Sequence, residues 1–581
     1  MKTLLPKSLA LILFLFSGVL VLFVLTSPAW AQLPPQLGCP VRTDTTVTSD
    51  TRNGARCNLF AALTINNGVE FSNQLSGTLL VGDDNQPPFF NGLLLNAGTI
   101  SNSGDIVIEQ TTGTLINSGT LNNNFDGRIF NDHTLLNNGT LNNKHGSPLE
   151  NRLTGTLTNL LTLNNSGQFD NIGTINNLTG AIVNNLDGGI LSNFGVLNNF
   201  HLLSNSTLGT IFNGSGATLN NEVQITNFGV VNNRAGGTMN NDFVFNGVAG
   251  STLTNGGAFN NTNTLISNGL IDNSGQLLNK PGGTIQNFGV INNSGGLGNS
   301  GGLQIANGGV LNNTGSIGNT SRGGFVVQSG GVFNNSGSFL SDSFSGFGSQ
   351  AGSTILNTGT MSLGGNTVAI GGSLRNNGTI TMVAGPATGD PAIQPPAPPL
   401  LITSTGKLSG TGTVNQGLFG FGVINQGVMA PGDPLGTFTI VGNYQQTATG
   451  TLEILLGGTG AGQFGQLDIT GGADLSGTLD VELFAGFDPQ AGAMFEILES
   501  RGITNLDFLS MLFPTLSDGL FFKLDQEGGN LFLDVMQGEG GGGTSVPEPA
   551  SLALLASGLI ALLALGAMKQ GFHRQSGSSK A

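Results

Sequence analysis

The chain has 581 residues, of which 95 are glycine and only 9% are charged, and its formal net charge is −15 at pH 7. So few charges argue against ordinary charge-driven disorder. The acidic balance, without a basic patch, gives no reason to expect nucleic acid as a partner. A chain that is 38% hydrophobic can still bury a narrow core if each repeat contributes a few inward aliphatic side chains. We therefore expect an elongated repeat fold.

The first 31 residues predict a secretory signal helix. Lys2 and Lys7 supply the positive start, residues 9–25 are apolar, and the segment ends in Ala29-Trp30-Ala31. Small residues at these two positions favour cleavage between Ala31 and Gln32 by signal peptidase. The alternative is an N-terminal membrane anchor that is not cleaved, because the apolar run is long for a signal.

Cys39 and Cys57 are the only cysteines of the chain. In an exported protein, two cysteines 18 residues apart are most simply one disulfide. We expect residues 32–62 to form an N-terminal cap held by this bond. A repeat rod needs such a cap because its first repeat exposes an unpaired strand edge.

Residues 63–383 repeat one short phrase: Gly, then Thr or Val, then an aliphatic residue, then Asn-Asn. Its first Asn recurs at steps of 20 or 22 residues within each of three runs, and a fixed period in this range indicates a solenoid. The runs are Asn122, Asn142, Asn164 and Asn184, then Asn198, Asn220, Asn240 and Asn260, then Asn292, Asn312 and Asn334.

The composition of the repeat favours strands over helices. Glycine at this density would penalise a helix by about 1 kcal/mol per residue, whereas Asn and Gly suit tight corners. Residues 134–141 alternate with period two. The fold class is therefore all-β: a long, single-stranded, right-handed parallel β-helix of about 17–18 turns, flanked by the signal helix and a C-terminal transmembrane helix.

Stacking of like residues on successive turns predicts two kinds of side-chain column. Asn side chains can hydrogen-bond along the axis as ladders, as in other stacked parallel sheets. Three copies of Asn-Phe-Gly also suggest a short stack of phenylalanines, at Phe194, Phe228 and Phe288.

Two segments interrupt the repeat. Residues 83–88 predict an exposed loop, in which Asp83 and Asp84 could help to hold a calcium ion. A solvated turn is the simpler interpretation because no other ligands are evident. Residues 384–400 contain six prolines and predict a loop or linker.

Residues 401–537 carry a different phrase, which runs from Ala430-Pro431-Gly432 through Gly436-Thr437 to Gly442-Asn443-Tyr444. Over about residues 410–498 this stretch resembles the last turns of bacterial autotransporter passenger domains. The resemblance implies β-helical turns that end in a cap. The chain departs from that family because the following residues do not show the alternating strands of a membrane barrel.

The C-terminal segment combines three features. A Gly-rich linker at 538–545 leads to the triplet Pro547, Glu548 and Pro549, an apolar run at 550–568 and a basic end. Residues 546–581 resemble the PEP-CTERM sorting tail of Gram-negative bacteria. The resemblance implies that an exosortase recognises the triplet and removes the tail. Nineteen apolar residues at 1.5 Å each span about 28 Å, near one bilayer core. The alternative is a tail anchor that is never cut.

The densest group of ionic residues in the repeat does not form a catalytic pattern. If turns stack at about 20 residues, Asp132 and Arg152 become neighbours, and we expect a salt-bridged surface patch. His145 and His201 lack the partners of a zinc site. We predict no catalytic, metal-binding or cofactor-binding residue. The patch comprises Asp126, Arg128, Asp132, His133, Glu150 and Arg152.

These features predict an exported surface or extracellular-matrix protein of structural or adhesin-like function. The sorting tail implies processing by exosortase, transient anchoring in the inner membrane and association with biofilm or exopolysaccharide. One alternative is a polysaccharide-cleaving enzyme on the same fold. Another is a passenger that a separate outer-membrane partner exports.

Overall fold

A strand of four residues followed by a short corner is the repeating element of this protein. In the computed structural model each strand pairs in parallel, in register, with the strand three positions later in the chain. Three strands therefore make one turn, and the turns stack into a solenoid with three flat faces. The structure describes residues 34–82, 91–365, 368–385, 397–416 and 422–538, with the strand backbone at Leu15–Phe16 and Val19–Leu20.

Each face is a parallel sheet of strands that succeed one another along the rod. Face 1 comprises Thr51–Asn53, Glu70–Asn73, Thr99–Asn102, Thr120–Asn123, Thr140–Asn143, Thr162–Asn165, Ile182–Asn185, Leu202–Asn205, Gln224–Asn227, Val244–Gly247, Thr264–Ser267, Thr284–Asn287, Gly302–Ile305, Gly324–Val327, Gly346–Ser349, Val368–Ile370, Leu400–Ile402, Val423–Asn425 and Tyr444–Gln446. Face 2 comprises Arg56–Leu59, Thr78–Val81, Asp105–Ile108, Arg128–Asn131, Pro148–Asn151, Gln168–Asn171, Ile190–Asn193, Thr210–Asn213, Val230–Asn233, Thr252–Asn255, Leu270–Asn273, Val290–Asn293, Val310–Asn313, Val332–Asn335, Thr354–Asn357, Ser373–Asn376, Lys407–Gly410, Val428–Pro431 and Thr451–Leu456. Face 3 comprises Thr45–Val47, Ala62–Ile65, Leu93–Asn96, Thr114–Asn117, Thr134–Asn137, Thr156–Asn159, Thr174–Asn177, Val196–Asn199, Thr218–Asn221, Thr238–Asn241, Ala258–Asn261, Gln276–Asn279, Gly296–Asn299, Ser316–Asn319, Ser338–Ser341, Thr360–Leu363, Thr379–Met382, Thr413–Asn415 and Gly436–Val441.

The predicted all-β solenoid is confirmed. From Ala62–Ile65 to Val428–Pro431 there are 51 strands, which at three a turn make 17 turns. At about 4.8 Å between neighbouring strands these turns span about 80 Å. The one helix in the described part of the chain is a single 3-10 turn, Ser517–Gly519. None of the described residues forms a helix long and apolar enough to cross a membrane. The predicted C-terminal helix lies outside the described residues. Of the predicted signal helix, only the backbone of Leu15–Phe16 and Val19–Leu20 is described, and it forms a short antiparallel strand pair instead of a helix.

Within each regular strand the second and fourth residues face inward. The second position is aliphatic or Phe and forms the core, as Leu121, Leu141 and Leu163 do on face 1. The fourth position is usually Asn, and it is as fully buried as the core, as at Asn123 and Asn143. The first and third positions face outward. Of the Asn-Asn pair in the repeated phrase, the second Asn is therefore the interior residue.

The predicted Asn ladders are confirmed, and each face has one inside the rod. On face 2 the ladder runs from Asn131 to Asn376, and on face 3 it runs from Asn96 to Asn319. In each step Nδ2 donates to Oδ1 of the Asn one turn later, at 2.7 Å from Asn171 to Asn193. The same Nδ2 also donates to a backbone carbonyl past the next corner, at 3.0 Å from Asn171 to Val196 O. One amide thus links neighbouring turns and also provides a hydrogen-bond donor for a backbone carbonyl at a corner.

The predicted phenylalanine stack is wrong. Phe194 lies on the corner between faces 2 and 3, whereas Phe228 and Phe288 lie on the corner between faces 1 and 2. All three side chains are exposed, at 47%, 40% and 44%. The interior rings come instead from second strand positions of neighbouring turns. The largest such group is Phe325, Phe333, Phe339 and Phe347, whose ring centroids lie 4.9–5.8 Å apart.

The two predicted boundary segments belong to the same sheet as the repeats. Strand Thr45–Val47 already pairs with Ala62–Ile65, so residues 32–62 contain the first turn of the solenoid. Cys39 and Cys57 form a disulfide there, with 5.2 Å between their Cα atoms. At the Pro-rich segment, Val368–Ile370 pairs directly with Leu400–Ile402. Residues 383–399 therefore connect Thr379–Met382 of face 3 to Leu400–Ile402 of face 1, and Leu400 already belongs to the sheet.

The solenoid ends in long strands and a hairpin. Gly465–Leu483 is one continuous strand that pairs in turn with the last strands of faces 3, 1 and 2. Met494–Leu512 adds a further parallel turn with three irregularities in its register. The antiparallel hairpin of Leu520–Glu527 and Asn530–Gln537 then covers the end of the core. These long strands explain why the sequence repeat is absent from residue 465 onwards.

Replacing Asn171 by Ala is expected to destabilise the rod by about 1–3 kcal/mol, because it leaves the Asn151 amide and the Val196 carbonyl buried without this partner. Asn142→Ala is the matched control. Asn142 belongs to an outward ladder and is only half-buried, so its loss should cost about 0.5 kcal/mol. Urea unfolding of the two variants measures the difference. Equal losses would show that the inward ladder adds no more to stability than the outward one.

Candidate functional site

The ionic patch predicted from the sequence lies on face 2 and its adjoining corner. Arg152 contacts Asp132 at 3.1 Å and Glu150 at 3.2 Å, so the predicted approach of Asp132 and Arg152 is confirmed. Arg128 makes a two-pronged contact with Asp105 at 2.7 and 2.9 Å. Each cation in this group is paired with a carboxylate. Exposed pairs of this kind contribute about 0–1 kcal/mol each, so the patch is a solvated surface.

An aromatic ring lies between the two guanidinium groups of the patch. The guanidinium carbon of Arg152 is 4.2 Å from the centre of the Phe130 ring, and that of Arg128 is 5.8 Å away. Such contacts hold an arginine flat against a ring and limit its motion. Both arginines of the patch are therefore already engaged, by the Phe130 ring and by carboxylates.

Charged side chains of the strands are confined to one face. From Leu93 to Leu456, eight charged residues lie within described strands, and all eight are on face 2. Faces 1 and 3 carry none in their described strands over the same length. Charges outside face 2 are on corners. The eight are Asp105, Arg128, Glu150, Asp170, Asp272, Arg375, Lys407 and Glu453.

A cleft of about 230 Å³ opens on face 2 near the C-terminal end of the rod. Its wall contains two ion pairs, Arg375 with Asp433 and Lys407 with Glu453. Lys407 Nζ lies 2.8 and 2.9 Å from the two oxygens of Glu453. Both cations are already bound by carboxylates, so an anionic ligand would have to displace one of them. The other lining residues are Ser409, Ala430, Pro431, Gly432, Pro434 and Leu455.

One carboxyl group beside this cleft has a shifted pKa. Asp480 is the register partner of Glu453 on the next turn. Burial and the Glu453 carboxylate both raise the pKa of Asp480 above its ordinary value. A pair of carboxyl groups with separated pKa values is the arrangement that glycosidases use. Asp480 does not line the cleft, however, and Glu453 is held by Lys407.

The outward Asn residues form three further ladders, one on each face. Their bonds are 2.8–2.9 Å long. The ladder on face 1 joins Asn122 to Asn184, that on face 3 joins Asn176 to Asn260, and that on face 2 joins Asp272 to Asn334. The three runs in the sequence are thus three stretches of different faces.

Three other predicted features cannot be located on the solenoid. The sorting triplet Pro547, Glu548 and Pro549, the cleavage position at Ala31 and Gln32, and the loop with Asp83 and Asp84 lie outside the described residues. Within the described ranges, no group of three or more His, Cys, Asp or Glu side chains could hold a metal ion.

The sequence prediction missed the cleft and the single charged face. Arg375 and Asp433 are 58 positions apart, and the corner insertion at 383–399 hides the fact that Asp433 follows a strand only two turns after that of Arg375. The available signal was the spacing of Lys407 and Glu453, which is close to two turns. Assigning a charge to a face also requires the length of every corner, which is two or four residues for most corners but five at Glu109–Gly113.

No protein-family model and no curated protein matches the chain. Among solved structures, the crystal structure of the TibC-catalysed, hyper-glycosylated TibA55-350 fragment is similar. The match covers 66% of this chain and 96% of that one, at 15% identity and a TM-score of 0.18. At this TM-score the likeness carries no argument, and the functional proposal rests on the residues of this chain.

Asp480→Asn is expected to raise the melting temperature at pH 7 and to leave it unchanged at pH 3. The raised pKa means that the folded chain disfavours the charged form. The resulting loss of stability is absent below the ordinary pKa of about 3.9 and grows as the pH rises through the folded value.

Asp507→Asn serves as the control, because it removes one exposed carboxylate and changes the net charge equally. Thermal unfolding of both variants at the two pH values measures the effect. If the melting temperature at pH 7 rises equally in both variants, the rise is due to net charge and not to the Glu453–Asp480 contact.

Proposed function

We propose that this protein is an exported structural or adhesin-like component of the cell surface or extracellular matrix. The observation that carries the proposal is the long solenoid, in which two of the three faces carry no charged residue in their described strands between Leu93 and Leu456. Such a rod presents the same groups at a repeat of about 4.8 Å over tens of ångströms. It therefore suits lateral contact with an extended partner better than enclosure of a small substrate.

Delivery by an exosortase is the second part of the proposal. It is supported by the resemblance of residues 546–581 to the PEP-CTERM tail and by the signal-like residues 1–31. In this proposal signal peptidase cuts after Ala31, the apolar run 550–568 holds the chain transiently in the inner membrane of a Gram-negative cell, and exosortase acts at Pro547-Glu548-Pro549. The Cys39–Cys57 disulfide is consistent with an oxidising destination. Exopolysaccharide or another biofilm polymer is the proposed surrounding material.

Replacing Pro547, Glu548 and Pro549 by Ala is expected to leave the intact C-terminus on the protein, which then stays in the membrane fraction. Mass spectrometry of protein from the cell surface and medium measures both ends. The control is Glu499→Ala, an acidic residue of the described cap outside the triplet. Release of normally processed protein from the triple variant would contradict recognition of the triplet.

Deletion of the gene tests the matrix role. The proposal predicts altered biofilm texture, adhesion or polymer retention, and re-expression of the unaltered chain should restore them. If all three remain unchanged, the matrix role is wrong. Release of new reducing or unsaturated ends from the producer's polysaccharide by the purified protein would instead favour the enzymatic alternative.

A further inference from the structure

Face 3 presents an uncharged strip along most of the rod. From Leu93–Asn96 to Thr413–Asn415, none of the outward side chains in its described strands is charged. Thr and Asn dominate the middle of the strip, and scattered apolar residues such as Val196, Leu278 and Leu340 are partly exposed. A mixture of neutral polar and apolar groups without charges is typical of the central part of a protein interface.

The amide ladder on face 3 leaves hydrogen-bonding groups unused. Asn220 donates to Asn198 at 2.8 Å and accepts from Asn240 at 2.8 Å. Each amide has two N–H groups and two lone pairs, so one of each remains for a partner. A second copy of the same ladder offers the same donors and acceptors at the same repeat. The strip is therefore self-complementary.

The size of the strip matches that of a stable interface. A four-residue strand is about 13 Å wide, and the 16 strands from Leu93–Asn96 to Thr413–Asn415 extend for about 75 Å. The product is about 1,000 Å² on each copy, above the roughly 800 Å² per partner of a standard specific complex. A chain with a net charge of −15 repels its copies. Contact through face 3 brings no charged strand residues of the two copies together.

We propose that face 3 is a self-association surface, on which a second copy of this chain packs face to face. The inference rests on the proposed surface or matrix role, which brings copies together outside the cell. An uncharged polysaccharide is the competing occupant. Saccharide-binding surfaces generally offer aromatic platforms, and the described outward strand positions of face 3 contain no aromatic residue.

Asn220→Asp places a negative charge in the strip with little change of shape, and self-association should weaken about tenfold because two like charges then meet across the interface. Asn312→Asp is the matched control. Asn312 occupies the same strand position on face 2, in a ladder with bonds of 2.9 and 2.8 Å, and is also half-buried. Sedimentation velocity of the full-length chain in detergent, over a range of concentrations, measures association. Both terminal segments are the same in all samples.

Thermal unfolding of both variants measures the stability that each ladder loses, and the two losses should be equal. At 1 M salt the Asn220→Asp variant should recover most of its association, because screening shortens the range of the repulsion to about 3 Å.

A wild-type chain that stays monomeric, or equal weakening by the two Asp variants, overturns the inference. Association that requires added dextran or cello-oligosaccharide assigns the strip to a polymer and also overturns it. These outcomes are separate from the matrix role, since gene deletion can still alter the biofilm when the isolated rods do not pair.

Discussion

The inward Asn amide is the group on which the solenoid depends. A corner after every four-residue strand leaves backbone carbonyls turned towards the interior, and buried carbonyls without partners are costly. The fourth residue of the strand supplies the donor. Asn123, for example, donates to Asn143 and to the Pro148 carbonyl, so its Nδ2 closes one corner and joins two turns. Asn is short enough to do this without displacing the aliphatic core.

The exceptions to this pattern fall where a ladder begins or is interrupted. Among the described residues, three buried Asn Oδ1 atoms lack a hydrogen-bond partner: those of Asn96, Asn131 and Asn287. Asn96 and Asn131 are the first members of the ladders on faces 3 and 2, so no amide of the preceding turn donates to them. On face 1, Asn287 follows Ser267, where the ladder is interrupted. Because every step runs in the same direction, the first Asn of a ladder receives no amide from the preceding turn; on face 1 the first member, Asn53, accepts from Ala55 N instead.

The repeat, its strands and its ladders could be predicted from the sequence because they depend on local composition and a regular period. The face on which a given residue lies could not be predicted, because most corners contain two residues and others four or more, so that the period varies. Phe194 and Phe228 share the context Asn-Phe-Gly but are 34 positions apart, which is not a whole number of turns. They therefore lie on different corners. The cleft formed by Arg375, Lys407, Asp433 and Glu453 was missed for the same reason. Arg375 becomes a neighbour of the other three only when the corner insertion is removed from the count.

The inward and outward positions of each strand have separate roles, and this explains how a uniform core can carry different surfaces. Second and fourth positions specify the fold, so the outward first and third positions can vary without disturbing the Asn ladder. On face 2 that freedom is used for paired charges, as at Arg128 with Asp105 and Lys407 with Glu453. On faces 1 and 3 the outward positions in the described strands between Leu93 and Leu456 contain no charge. Because the core imposes no such difference between faces, the absence of charge is a property of the surface itself. Contact with a neutral partner is the physical constraint that would favour it.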